Sequence, residues 1–137
     1  METIRILLVD DHQLVLDGLR SMLQQEMDMQ VVGEAASVEE ALTQMDSLSP
    51  EVILMDIKMP GMNGIDGTRK LRKEYPSCSV IMHTLYGDYL TEAIEAGAVG
   101  FLLKGIHHKE LAMAIRGVHL CQTTLFHKGS PFTLVKL

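Results

Sequence analysis

The chain has 137 residues, 47% of them apolar, which suffices for one domain whose core removes about two-thirds of the unfolded surface from water and argues against disorder. A net charge of −6 with a pI near 5.4 argues against nucleic-acid binding by this chain, which calls for a basic patch. No run approaches the ~18 apolar residues of a membrane span, no charged and then apolar leader opens the sequence, and Cys78 and Cys121 lack metal-ligand spacing, so the expectation is a cytoplasmic protein with two reduced thiols.

In chain order, residues 4–9 contain the apolar run Ile6-Leu7-Leu8-Val9, a buried-type strand that closes on Asp10-Asp11. Residues 13–25 carry Leu14, Val15, Leu19, Met22 and Leu23 at helical spacing. A second strand over 29–34 centres on Val31-Val32. Ser37 is the predicted N-cap of the next helix, with Glu40 completing a capping box and Val38, Ala41, Leu42 and Met45 forming the apolar face. Residues 52–55 are a third apolar strand, closing on Asp56. A turn over 61–64 leads to a helix over 65–74 that stops before Pro76. A strand over 79–84 precedes a helix over 89–96, for which Gly97 is the C-cap. A fifth strand over 99–103 and a fifth helix over 109–120 complete the pattern.

Five alternations of apolar strand and helix predict an α/β fold, a three-layer sandwich in which helices cover both faces of a five-stranded parallel sheet. Ligands of such sheets bind beyond the C-terminal strand ends, and every informative polar residue falls there: Asp10 and Asp11, Asp56, Thr84 and Lys104. Three carboxylates brought together repel one another unless a cation joins them, and oxygen ligands suit a hard ion such as Mg²⁺.

This set, in this order, resembles the receiver domain of two-component response regulators. The matching segments are Leu8-Val9-Asp10-Asp11-His12, the stretch from Met55 to Gly64 that includes Lys58-Met59-Pro60-Gly61, Thr84, Glu95-Ala96-Gly97-Ala98 and Gly100-Phe101-Leu102-Leu103-Lys104. Asp-Asp-His and Gly-Phe-Leu-Leu-Lys are similar to the NarL/FixJ (LuxR-type) subfamily. The resemblance spans about residues 4–120. It implies a flavodoxin-like, CheY-like fold with strand order 2-1-3-4-5. It further implies Asp56 as the phosphoacceptor for a sensor histidine kinase, and Mg²⁺ held by Asp11, Asp56 and the Lys58 backbone carbonyl, with Asp10 helping through water. Thr84 and Lys104 contact the phosphoryl oxygens, and Thr84 with Phe101 forms the switch. Such a domain modifies itself but is not a turnover enzyme. Phosphorylation is expected to favour a homodimer through Ile94, Leu111, Ile115 and Val118 and so to control transcription through a DNA-binding output domain. Residues 1–120 are then the receiver and 121–137 a tail leading to an absent helix-turn-helix.

Plainer readings exist for single residues. Asp10 or Asp11 can cap the first helix, Thr84 can be an ordinary strand residue, Lys104 a solvated charge and Phe101 plain core. Met59 and Met62 can fill core or face a partner, and His107-His108 can simply open the last helix. His12 receives no catalytic role. Two whole-chain rivals remain: a degenerate receiver working by protein contact alone, and a small Mg²⁺-dependent phosphatase of the haloacid-dehalogenase type. The phosphatase expects an aspartate two residues after its nucleophile, where Lys58 stands.

Three departures from the family pattern bear on the switch. The stretch from Thr84 to Gly97 is about two residues short, so the fourth helix is expected to be short or mobile. Gly105 stands where many receivers have proline, which makes a cis bond there less favourable. His83 replaces an apolar residue and, if buried, needs a partner or stays neutral. Leu85 is bulkier than the small residue often found after the threonine and is predicted to narrow the path of attacking water. Leu85→Ala is therefore expected to shorten the lifetime of an aspartyl phosphate, followed as loss of the phosphoryl group by intact mass; an unchanged lifetime would remove this role.

Overall fold

The apolar runs become the middle of a parallel sheet. The computed structural model describes residues 2–123 and 135–136. In it β1 (Ile4–Val9), β2 (Met29–Ala35), β3 (Val52–Met55), β4 (Ser79–Thr84) and β5 (Gly100–Leu103) run parallel in the order 2-1-3-4-5. They are joined by α1 (Gln13–Leu23), α2 (Val38–Leu48), α3 (Gly64–Glu74) and α4 (Leu90–Ala96), and α5 (His108–Thr123) follows β5. A two-residue strand, β6 (Val135–Lys136), adds to the β5 edge, opposite Phe101 and Leu102. That strand is absent from the sequence reading, because two residues carry no period; an open edge offers unpaired backbone groups to any extended segment. The remainder of the predicted tail, residues 124–134 and 137, lies outside the described residues.

Alternation along the strands divides the core in two. Leu7, Val9, Ile53, Met55, Val80, Met82 and Phe101 face one side, against Val38, Ala41 and Met45 of α2, Ile65 and Leu71 of α3, and Ala93 and Ala96 of α4. Ile6, Leu8, Val52, Leu54, Ile81 and Leu102 face the other, against Leu16 and Leu19 of α1 and Leu111, Ala114, Ile115 and Val118 of α5. Complete burial of each such Leu or Ile contributes about 1.5–3 kcal/mol. This packing corrects the expected partner surface. Leu111, Ile115 and Val118 are at most 2% exposed, because the apolar stripe of α5 is needed to cover the sheet, whereas Ile94 is 39% exposed. Met59 and Met62 are half-buried against the α2–α4 side of the core.

Helix ends follow local chemistry. The Ser37 hydroxyl accepts the Glu40 N–H at 3.1 Å, as predicted for an N-cap, but the Glu40 carboxylate accepts from Ala36 N–H, one residue before the capping-box donor. Asn63 caps α3 by accepting from Ile65 and Asp66 N–H, both at 2.9 Å. α1 ends two residues before the predicted boundary and β5 begins one residue after it. Beyond Thr84 the chain forms a 3-10 turn, Gly87–Tyr89, before a seven-residue α4 that ends at Gly97 with φ 105°. The short fourth helix was expected from the shortened segment.

Gly64 is where the fold tolerates nothing larger. Its N–H donates to Ile57 carbonyl at 2.7 Å, and a Cβ there stands 1.9 Å from the Asp56 carbonyl oxygen. Gly64→Ala must push apart α3 and the residue that closes β3, so it is expected to cost about 3 kcal/mol in urea unfolding, a large overpacking penalty. A change below about 0.5 kcal/mol, the range of ordinary surface substitutions, would show that the loop yields freely.

Candidate functional site

Parallel register places the polar residues side by side. Val9 pairs with Met55, Met55 with Met82, and Thr84 with Leu103, so the residues that follow β1, β3 and β5 meet at one edge with the end of β4. Backbone bonds extend the ladders past the strands: Asp10 N–H to Ala35 carbonyl and Asp56 N–H to Val9 carbonyl at 3.0 Å, and Lys104 N–H to Thr84 carbonyl at 2.7 Å. Asp10, Asp56 and Thr84 are buried, at 2%, 4% and 0% exposure, while the Asp11 side chain is 26% exposed.

Lys104 lies between the two buried acids. Its Nζ is 3.1 Å from Asp56 Oδ2, to which it donates, and 2.8 Å from Asp10 Oδ2. The Asp10 contact is an ion pair without the directionality of a hydrogen bond, so Asp10 Oδ2 has a charge beside it but no aligned donor. Asp10 Oδ1 accepts His12 N–H at 2.9 Å, and Asp56 Oδ1 accepts Ile57 N–H at 2.8 Å. Burial, and then the nearby Asp10 charge, push the Asp56 carboxyl above the usual aspartate range against the opposing pull of Lys104. Burial works against the Lys104 ammonium, but Asp10 and Asp56 outweigh it and raise its pKa.

The donor set fits a hard cation. One atom from each of Asp10, Asp11, His12 and Asp56 lies within 4.8 Å of the others, and Asp10 Oδ2 is a buried oxygen still lacking a directed partner. His12 is the member that the sequence reading set aside. Its Nδ1 sits 3.0 Å from Asp10 Oδ1 and 3.2 Å from Asp11 Oδ1. Its place directly after the acid pair was the available signal. Neither Asp10 nor Asp11 caps α1: the N-cap position is His12, without a side-chain cap bond.

The two residues expected to form a switch are both internal. Thr84 Oγ1 accepts Tyr86 N–H at 3.3 Å, and Phe101, 1% exposed, packs in the α2–α4 side of the core. Leu85 is 65% exposed. No cis peptide bond occurs among the described residues, and Gly105 takes φ 95°. A contact without any sequence signal joins the two loops beside the site: the Lys58 ammonium lies 4.2 Å from the centre of the Tyr86 ring.

Residues 6–116 match the family model of the response regulator receiver domain. The chain is 44% identical to the response regulator GacA of Pseudomonas protegens over 115 residues, 82% of this chain and 54% of that protein. It is 42% identical to the transcriptional regulatory protein LiaR of Bacillus subtilis over 136 residues, 98% of this chain and 64% of that protein. The chain thus spans about half the length of many of the curated relatives it matches. A solved two-component response regulator of the LuxR family from Aurantimonas superposes with a TM-score of 0.82 at 33% identity, covering 87% of this chain and 86% of that one.

His83, the polar residue in an otherwise apolar strand, is 6% exposed. Burial, with the Lys104 charge adding to it and Asp10 opposing, lowers its pKa from 6.5 to about 4, so the imidazole is neutral at pH 7. A depressed histidine pKa gives stability that is present above the unfolded value and is lost as pH falls toward the folded one. Relative to His83→Leu, the wild-type protein is expected to lose about 3 kcal/mol between pH 7 and pH 4 in urea unfolding. A difference between the two proteins that does not change with pH would mean that the imidazole takes up its proton as readily in the folded state as in the unfolded one.

Proposed function

The chain belongs to the response regulator receiver domain family of two-component signalling, and from that premise we propose that Asp56 accepts a phosphoryl group from a sensor histidine kinase. The observation that carries this reading is the Lys104 ammonium held between buried Asp10 and Asp56. A buried ion pair adds little stability of its own, so a cation kept beside two close carboxylates is better explained by the charge it will meet.

In the proposed reaction an Asp56 oxygen attacks the phosphorus of a phosphohistidine, the P–N bond breaks, and the imidazole leaves with its electron pair and takes up a proton. Asp11, Asp56 and the Lys58 carbonyl, with Asp10 through water, are the residues we assign to Mg²⁺, which when bound supplies the positive charge that offsets the approach of anion to anion. Lys104 moves its ammonium from the Asp56 carboxylate to a phosphoryl oxygen, remaining next to Asp10. Thr84 turns its hydroxyl hydrogen to another phosphoryl oxygen, and Phe101 shifts into the space behind it. The chain does not turn over a substrate, and its product is its own modified state.

Phosphorylation then favours a homodimer. In a longer protein that continues past α5, this controls a DNA-binding output domain. Support for that part is the likeness to regulators of which the matched segment makes up only 54–55%.

Acetyl phosphate with Mg²⁺ is expected to add one phosphoryl group by intact mass, and Asp56→Asn to abolish the gain. Lys104→Ala should slow it about a hundredfold, the loss seen when one aligned stabiliser of transition-state charge is removed. Sedimentation of the phosphorylated and unmodified proteins should differ by a dimer. A folded wild-type protein that takes up no phosphoryl group and binds no Mg²⁺ would replace this reading with that of a degenerate receiver.

A further inference from the structure

The contact between Lys58 and Tyr86 links two loops that no backbone bond joins. Lys58 lies two residues after Asp56, and Tyr86 two residues after Thr84. The Lys58 Nζ stands 4.2 Å from the Tyr86 ring centre and 5.8 Å from that of Tyr89. The two rings meet edge to face, 86° apart with centroids 6.3 Å from each other. Tyr89 ends the 3-10 turn that leads into α4, so the cluster also reaches the helix. The Tyr86 N–H, in turn, is the donor that engages the buried Thr84 hydroxyl oxygen.

We propose that Lys58 and Tyr86 are positioning residues for Thr84: the ammonium held over the Tyr86 ring fixes the Tyr86 backbone, whose N–H keeps the Thr84 hydroxyl aligned. The proposal rests on the reading of Asp56 as phosphoacceptor and Thr84 as a donor to the phosphoryl group. With its oxygen already accepting from Tyr86, Thr84 has its hydroxyl hydrogen free to donate, and that donor is oriented before the phosphoryl group arrives. The loop after Thr84 needs such a tie. It is short, Tyr86 N–H is its link to the strand end, and neither the 3-10 turn nor α4 has a side-chain N-cap bond. A cation facing an aromatic ring at a half-exposed site has the strength to bias a loop without freezing it.

The test uses four single variants and one double. Lys58→Met and Tyr86→Leu are each expected to slow phosphorylation by acetyl phosphate about threefold, the factor that a partly exposed cation–ring contact supports. Tyr86→Phe, which keeps the ring, should stay near the wild-type rate, and Lys58→Arg, which keeps the charge, serves as the control for the exchange measurement below. The double variant Lys58→Met/Tyr86→Leu should be no slower than either single one, because both remove the same contact. Tyr86→Leu retains the Lys58 charge, so its slowing separates loop positioning from simple attraction of the phosphodonor. A second readout needs no phosphoryl chemistry: amide hydrogen exchange at Tyr86 in the metal-free protein should quicken in Lys58→Met and not in Lys58→Arg. Unchanged exchange in Lys58→Met, or additive slowing in the double variant, overturns the proposal. Quickened exchange in a protein that never takes up a phosphoryl group would uphold the loop tie and overturn the phosphoacceptor reading instead.

Discussion

The mutual repulsion of Asp10 and Asp56 is the constraint on which the rest of the site depends. Parallel register brings these two acids to adjacent strand ends, both almost wholly buried. Burial and the Asp10 charge raise the Asp56 pKa, and Lys104 only partly offsets them. The fold must hold this unfavourable pair in place with energy from elsewhere. It does so with an apolar core on both faces of the sheet and with close backbone contact at Gly64, whose N–H bonds the carbonyl of Ile57 beside Asp56. Replacement of buried charges by apolar groups of similar shape is often neutral or stabilising, so residues such as these are kept for what they do.

The two-sided core also decides where polar chemistry is possible. Along β3, β4 and β1 from Ile6 onward both side-chain directions are buried, which leaves the strand ends as the places for charge. The exceptions inside are quiet ones. Thr68 bonds the Gly64 carbonyl at 2.7 Å, and His83 stays neutral. For the same reason the inward stripe of α5 is committed to the sheet and cannot also meet a partner.

The legible parts of the sequence were those set by local period and local capping. Apolar runs marked all five main strands, and the residue closing each run marked the edge where Asp10, Asp56, Thr84 and Lys104 gather. Ser37 as N-cap and Gly97 as C-cap were readable because each acts within four residues of itself. The tertiary facts were not. Leu111, Ile115 and Val118 have the spacing of an apolar helix face, and spacing alone does not say whether a sheet or a second protein covers it. The Tyr86 ring reaches Lys58 only because two parallel strands end together, a pairing between residues 28 positions apart. The two residues of β6 hold no pattern and take their form from the edge they join.

Charge balance explains why this resting site is ready for change. Asp10, Asp11 and Asp56 face one firmly held ammonium, Lys104, since His12 is largely exposed and carries charge only when protonated. The pocket is therefore short of positive charge, and a divalent cation among these oxygens would relieve the Asp10–Asp56 repulsion that, after burial, raises the Asp56 pKa. A phosphoryl group on Asp56 would convert a single carboxylate charge into a more strongly anionic group further out from the strand end. On the reading proposed for Asp56, Lys104 would follow that charge while staying beside Asp10, whose Oδ2 lies 2.8 Å from its ammonium. The ammonium would then move with one partner fixed, exchanging its bond to Asp56 Oδ2 for one to the phosphoryl group.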